Sequence, residues 1–165
     1  MKKIIMTLAI LTFASLAKAG NEGPQADPSA PATVLAEYVI SGGLFVPPNV
    51  PVSRHYQVLS NHKAIEVKYF RSASPEVQVI KTLTDAEWTQ INELINSIEP
   101  GALYDANPDL PACQDGPTFS WIVNGSFGTI TIAQKRDCKQ MQRENSSSAD
   151  GLVVNFLNSL AKLAD

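Results

Sequence analysis

The sequence predicts an α+β fold: an antiparallel β-sheet with two α-helices packed on one face and one disulfide. Three observations predict it. Short β-rich runs bounded by Gly, Pro or Asn-Gly recur from Val34 to Gln134. Two longer segments, Thr84–Glu99 and Asp150–Leu163, instead place apolar residues at helical spacing. The chain's two cysteines, Cys113 and Cys138, flank one of the hairpins in a sequence that opens like an exported protein.

The opening MKKIIMTLAILTFASLAKA has a Lys2-Lys3 charged start, an apolar run from Ile4 to Leu16 and a small-residue exit at Ala17-Lys18-Ala19. This pattern predicts a signal peptide over residues 1–19, with the apolar run too short to span a bilayer comfortably. Residues 20–31 (GNEGPQADPSAP) are rich in Gly, Pro, Ala and polar side chains, so a disordered leader is expected there. Residues 32–165 then form a single α+β domain, long enough for its own core.

Within that domain Val34–Ser41 (VLAEYVIS) reads as the first strand, stopped by Gly42-Gly43. Leu44–Val52 (LFVPPNVPV) is apolar, yet Pro47, Pro48 and Pro51 remove ladder donors, which predicts an extended loop. Ser53–Leu59 has strand content. Ala64–Arg71 alternates, with Ile65, Val67 and Tyr69 on one face and Glu66, Lys68 and Phe70 on the other. Glu76–Leu83 is a further strand candidate. Thr84-Asp85-Ala86-Glu87 matches a capping box, with Leu83 and Trp88 at staple positions. Trp88, Ile91, Leu94, Ile95 and Ile98 form the apolar stripe of that helix, and Pro100-Gly101 ends it. Residues 102–116 read as a loop-rich passage. Thr118–Asn124 and Ser126–Gln134 are expected to pair about an Asn124-Gly125 turn. Residues 135–148 read as polar connection before the terminal helix.

The predicted disulfide joins Cys113 to Cys138 across the open end of this hairpin. It would close a loop of about 25 residues, worth roughly 3.5 kcal/mol in the chain-entropy model. That pairing leaves no thiol for catalysis or for a metal.

Composition and motifs exclude several functions. Loss of residues 1–19 moves the formal charge from −3 to about −6, through Lys2, Lys3 and Lys18. No basic patch remains, so no nucleic-acid partner is expected. After signal cleavage no segment is apolar enough to cross a membrane. Asp105-x-Asn107-x-Asp109 opens like a calcium loop, but Leu110 stands where Gly is required and Gly116 where a bidentate Glu is required. His55 and His62 are the only histidines and read as surface or turn residues, so no metal site is expected. No nucleophile elbow, phosphate loop or dinucleotide fingerprint occurs. The chain therefore reads as a non-enzyme without catalytic residues or a cofactor, though dispersed hydrolase residues would leave no such trace. Asn124-Gly125-Ser126 and Asn145-Ser146-Ser147 match the glycosylation acceptor pattern, which would matter only in a eukaryotic host.

The stretch best suited to recognition is the proline loop, with Leu44, Phe45, Val46, Pro47, Pro48 and Asn49 as the binding residues. A stiff apolar loop loses little entropy on docking. The competing reading folds Leu44, Phe45 and Val46 inward to cap the sheet edge.

Ser41-Gly42-Gly43 after the first strand resembles the SGG motif near the start of emfourin-type inhibitors of thermolysin-like metallopeptidases. Asp115–Val123 (DGPTFSWIV) is similar to their Asp-containing aromatic strand, and Phe156-Leu157 with Leu160 resembles their terminal helix. The aromatic-small-Gly continuation of the family motif is replaced here by Leu44-Phe45-Val46. The resemblance implies a secreted proteinaceous peptidase inhibitor of small α+β fold. The expected function is thus an exported, non-enzymatic binding module, secreted or periplasmic. Its partner would be another protein, a peptidase or an envelope component. The alternative is a periplasmic or envelope accessory protein of structural role.

Overall fold

The computed structural model describes residues 31–42, 46–109, 116–136 and 139–165. In chain order the elements are β1 (Val34–Ser41), β2 (Ser53–Leu59), β3 (Lys63–Tyr69), β4 (Glu76–Thr82), α1 (Asp85–Asn96), β5 (Leu103–Asp105), β6 (Thr118–Gly125), β7 (Gly128–Arg136), β8 (Lys139–Arg143) and α2 (Ser148–Ala164). The strands form one eight-stranded sheet in the order β4-β3-β2-β1-β6-β7-β8-β5, antiparallel at every pairing. The α+β class and the antiparallel sheet agree with the sequence reading.

Register explains where the core lies. Ala36 and Tyr38 stand opposite Val58 and Tyr56 on β2, and opposite Val123 and Trp121 on β6. Side chains alternate along a strand, so these six share one face. They join Ile91, Ile95 and Ile98 at α1 and Val153, Leu157 and Leu160 of α2 in one hydrophobic cluster. Each such buried aliphatic side chain contributes about 1.5–3 kcal/mol. The Tyr38 ring stacks on Trp121 at 4.8 Å and on Tyr56 at 5.8 Å. The Trp121 indole N–H donates to Asn158 Oδ1 on α2 at 3.0 Å, so the half-buried ring has no orphaned donor.

The helix starts follow from local chemistry. At α1 the Thr84 hydroxyl accepts from the Glu87 amide, and the Glu87 carboxylate accepts from the Thr84 amide at 3.0 Å. The expected capping box is therefore present, although α1 ends at Asn96 rather than Glu99. Helix α2 begins at Ser148, two residues before the expected Asp150, because Asp150 turns back to take the Ser147 amide. The same carboxylate accepts two bonds from Arg143 Nη2, at 2.6 and 2.7 Å, in a fully buried pair.

Four sequence expectations change. The β6–β7 turn is at Ser126-Phe127, not Asn124-Gly125, because Gly125 pairs with Gly128 as the last rung. Gly128 takes the positive φ of 93°, while the Phe127 ring lies over Gly125, where a Cβ would come within 2.6 Å of it. Asn124 stays in the strand and donates to the Val34 carbonyl at 2.8 Å. Second, residues 102–116 and 135–148 are not merely connecting chain. They contain β5 and β8, which pair Leu103 with Arg143 and Asp105 with Met141. Third, β3 is not half-buried: Ala64 and Glu66 are fully buried on one face and Val67 is buried on the other, whereas Tyr69 is exposed. Fourth, β3 begins at Lys63 and ends at Tyr69.

Cys113 and Cys138 lie outside the described residues, as do Leu44, Phe45, the signal segment and residues 20–30 of the leader. The corrected register does alter the counting. Thr118 faces Arg136, so Cys113 is five positions before that rung and Cys138 two positions after it.

Candidate functional site

The proline segment joins β1 to β2 and is gathered at its base by backbone bonds. The Gly42 amide donates to the Val52 carbonyl at 2.8 Å, and the Val52 amide donates to the Tyr69 carbonyl at 2.7 Å. Within it the Val50 amide donates to the Pro47 carbonyl at 3.0 Å, closing a turn over Pro48-Asn49. Of the predicted binding residues, Val46 is half-buried and Pro47, Pro48 and Asn49 are exposed. The Val46 side chain folds back over Gly42, where a Cβ would come within 2.7 Å of its methyl carbon. Val50, which the sequence reading passed over, is exposed at 43%.

Below the loop is a depression of about 510 Å³ lined by Asn49, Val50, Pro51, Arg54, Lys68, Phe70 and Glu76. Its cations are held from inside. Arg54 Nε lies 2.8 Å from Glu66 Oε1, Lys68 Nζ lies 3.4 Å from Glu66 Oε2, and Arg54 Nη1 meets Asp165 at 2.9 Å. Glu66 thereby has two cations to offset the cost of its burial. Beside them, burial pushes the Tyr56 phenol up to about 12; Arg54 pulls it down, while the Glu66 and Asp165 carboxylates push it up further.

On the opposite face of the same strands lies a polar cluster that the sequence reading missed. His55 Nδ1 is 2.7 Å from Glu37 Oε1, and His55 Nε2 is 3.2 Å from Ser53 Oγ. Gln57 Nε2 donates to the same Glu37 oxygen at 2.5 Å, and the Tyr69 ring packs edge-on against His55 at 4.7 Å. Ser53, His55 and Gln57 alternate along β2, so the strand period itself aligns them. Val39 faces His55 across β1, which brings Glu37 into reach from the next position on that face. Burial pushes the Glu37 carboxyl up, but the hydrogen bonds from His55 and Gln57 and the charge of His55 outweigh it. The net effect holds Glu37 below the usual range. The S-x-H spacing on a β-rich run was the available signal; the carboxylate came from a different strand.

The other histidine has a packing role. His62 takes a positive φ of 65° in the β2–β3 turn and stacks on Trp88 at 4.7 Å. Asp105 of the calcium-like run is held by Lys139 Nζ at 2.7 Å and by the Asn107 amide at 3.0 Å. Those bonds keep its carboxyl below the usual range, the Lys139 bond most of all. Among the described residues no three His, Cys, Asp or Glu side chains gather as metal ligands, and no helix is long and apolar enough to cross a membrane.

No known family model matches the chain, and neither a curated protein nor a solved structure shows detectable similarity to it.

Proposed function

We propose that the chain is an exported, non-enzymatic binding module, and that it acts as a proteinaceous peptidase inhibitor through the loop between β1 and β2. The observation that carries this reading is the loop itself. It is tied at its base, stiffened by Pro47, Pro48 and Pro51, and presents Pro47, Pro48, Asn49 and Val50 outward. Such a segment docks into a cleft at small entropic cost. The loop and the sheet face that carries Ser53, His55 and Gln57 are the surfaces this reading offers to a partner. The SGG and DGPTFSWIV resemblances support a thermolysin-like metallopeptidase as that partner. Delivery to the periplasm or the medium and a Cys113–Cys138 disulfide belong to the same reading.

The test is a titration of the mature chain, residues 20–165, against a thermolysin-like metallopeptidase. Stoichiometric inhibition is expected, weakened at least tenfold by Val50→Asp. Unchanged peptidase activity at large molar excess removes the inhibitor reading. Recovery of an envelope component, with no peptidase, in a pull-down would move the assignment to a structural role. Alkylation without reduction is expected to find no free thiol.

A further inference from the structure

We propose that Ser53 is an activated nucleophile, with His55 as its general base and Glu37 as the residue positioning that base, so that it accepts acyl groups from small activated esters. This inference does not rest on the docking role proposed above; Ser53 labelling would replace the non-enzymatic part of that reading and leave the docking loop untouched. It starts from connectivity. The serine oxygen lies on Nε2 of the imidazole and the carboxylate on Nδ1, at 3.2 and 2.7 Å. That is the order in which a serine–histidine–carboxylate relay must run.

The tautomer follows from the partners. An ionised carboxylate can only accept, so Nδ1 carries the hydrogen. In the neutral imidazole Nε2 then offers a lone pair, and the Ser53 hydroxyl is the donor beside it. Glu37 is in turn held by the Gln57 amide at 2.5 Å, and the Tyr69 ring limits rotation of the imidazole. The His55 and Glu37 side chains are 22% and 17% exposed, dry enough to favour the pairing yet reachable from solvent. All of these groups stand on sheet strands rather than loops, which keeps their geometry.

The chemistry balances without a cofactor. Ser53 Oγ bonds to the ester carbonyl carbon while its proton passes to His55 Nε2. The bond to the leaving alkoxide breaks, and the alkoxide takes that proton and departs as the alcohol. Water then attacks the acyl-serine, giving its proton to Nε2. The acid leaves and Ser53 recovers a proton from the same nitrogen. The relay is on a sheet face rather than in a closed cleft, so it suits aryl esters, whose leaving groups carry charge readily, rather than amides.

The test uses the full mature chain with a fluorophosphonate probe and with p-nitrophenyl acetate, adducts being located by peptide mass spectrometry. Labelling is expected at Ser53 in preference to every other serine, and Ser53→Ala removes it. His55→Gln is expected to slow labelling at least about 100-fold. Added imidazole should restore part of the rate in His55→Gly, which a purely structural histidine would not permit. Glu37→Gln should slow labelling and shift its pH profile. A circular dichroism spectrum matching the parent guards each variant against misfolding. Labelling spread evenly over surface serines overturns the proposal. So does a Ser53 rate that is unchanged in folded His55→Gln.

Discussion

The two faces of the central strands carry the same residue types in opposite settings. On the core face Glu66 is wholly buried between Arg54 and Lys68, amid Tyr56, Val58 and Ala64. On the other face Glu37 is part-exposed and held by the side-chain donors of His55 and Gln57. A buried carboxylate needs full opposite charge, because solvent no longer screens it. A half-exposed one is held mainly by hydrogen bonds, with solvent supplying the rest of its screening. The core face therefore neutralises its polar groups internally, while the open face leaves His55 partly exposed to solvent.

The largest expected break in this contrast is at the buried Arg143–Asp150 pair. Asp150→Ala leaves the guanidinium buried without its counter-charge and removes the α2 cap, so a loss of about 3–5 kcal/mol is expected by denaturant unfolding. A loss below about 1 kcal/mol would mean that water reaches Arg143. Next, Leu157→Ala opens a cavity where α2 meets the core face and should cost about 3 kcal/mol. If it costs no more than an exposed change, α2 does not seal that face.

The open face should respond through pH rather than through raw stability. The folded-state value of Glu37 lies below its unfolded one. Its contribution is therefore present above the unfolded carboxylate value and is lost as pH falls through the lower folded value. Glu37→Gln should flatten that part of the acid limb in pH-dependent unfolding; an unaltered limb would place the acid sensitivity in other carboxylates. Smallest of all, Val79→Thr at the exposed sheet edge should change stability by no more than about 0.5 kcal/mol. A larger loss by the same unfolding assay would show that β4 is covered in solution.

Much of this fold was legible where its cause is local. Thr84 and Glu87 are three residues apart and satisfy each other, so the start of α1 could be read directly. The strands β1 and β2 matched their expected bounds because their content and flanking breakers are contiguous. The strands β5 and β8 were not legible. They are short, the edge strand β5 pairs only with β8 some forty residues away, as between Leu103 and Arg143, and the polar β8 is held between β5 and β7. The hairpin turn misled because Asn-Gly is a strong turn signal, yet strand register and Gly128 moved the reversal two residues onward. Of the candidate sites, the proline loop was visible from its composition. The Ser53–His55–Glu37 cluster was not, since nothing near β2 in sequence announces a carboxylate eighteen residues earlier.

By itself, then, the sequence determined the α+β class, the two helices, the central strands and the stiffness of the β1–β2 loop. These depend on periodicity, caps and proline geometry, all of which act over a few residues. Only the tertiary structure decided that Glu66 of β3 faces the core, where β5 and β8 pair, and which side chains surround His55. Alternation along a strand separates two faces but does not say which one meets the helices. That choice is made by burial and register between segments distant in the chain.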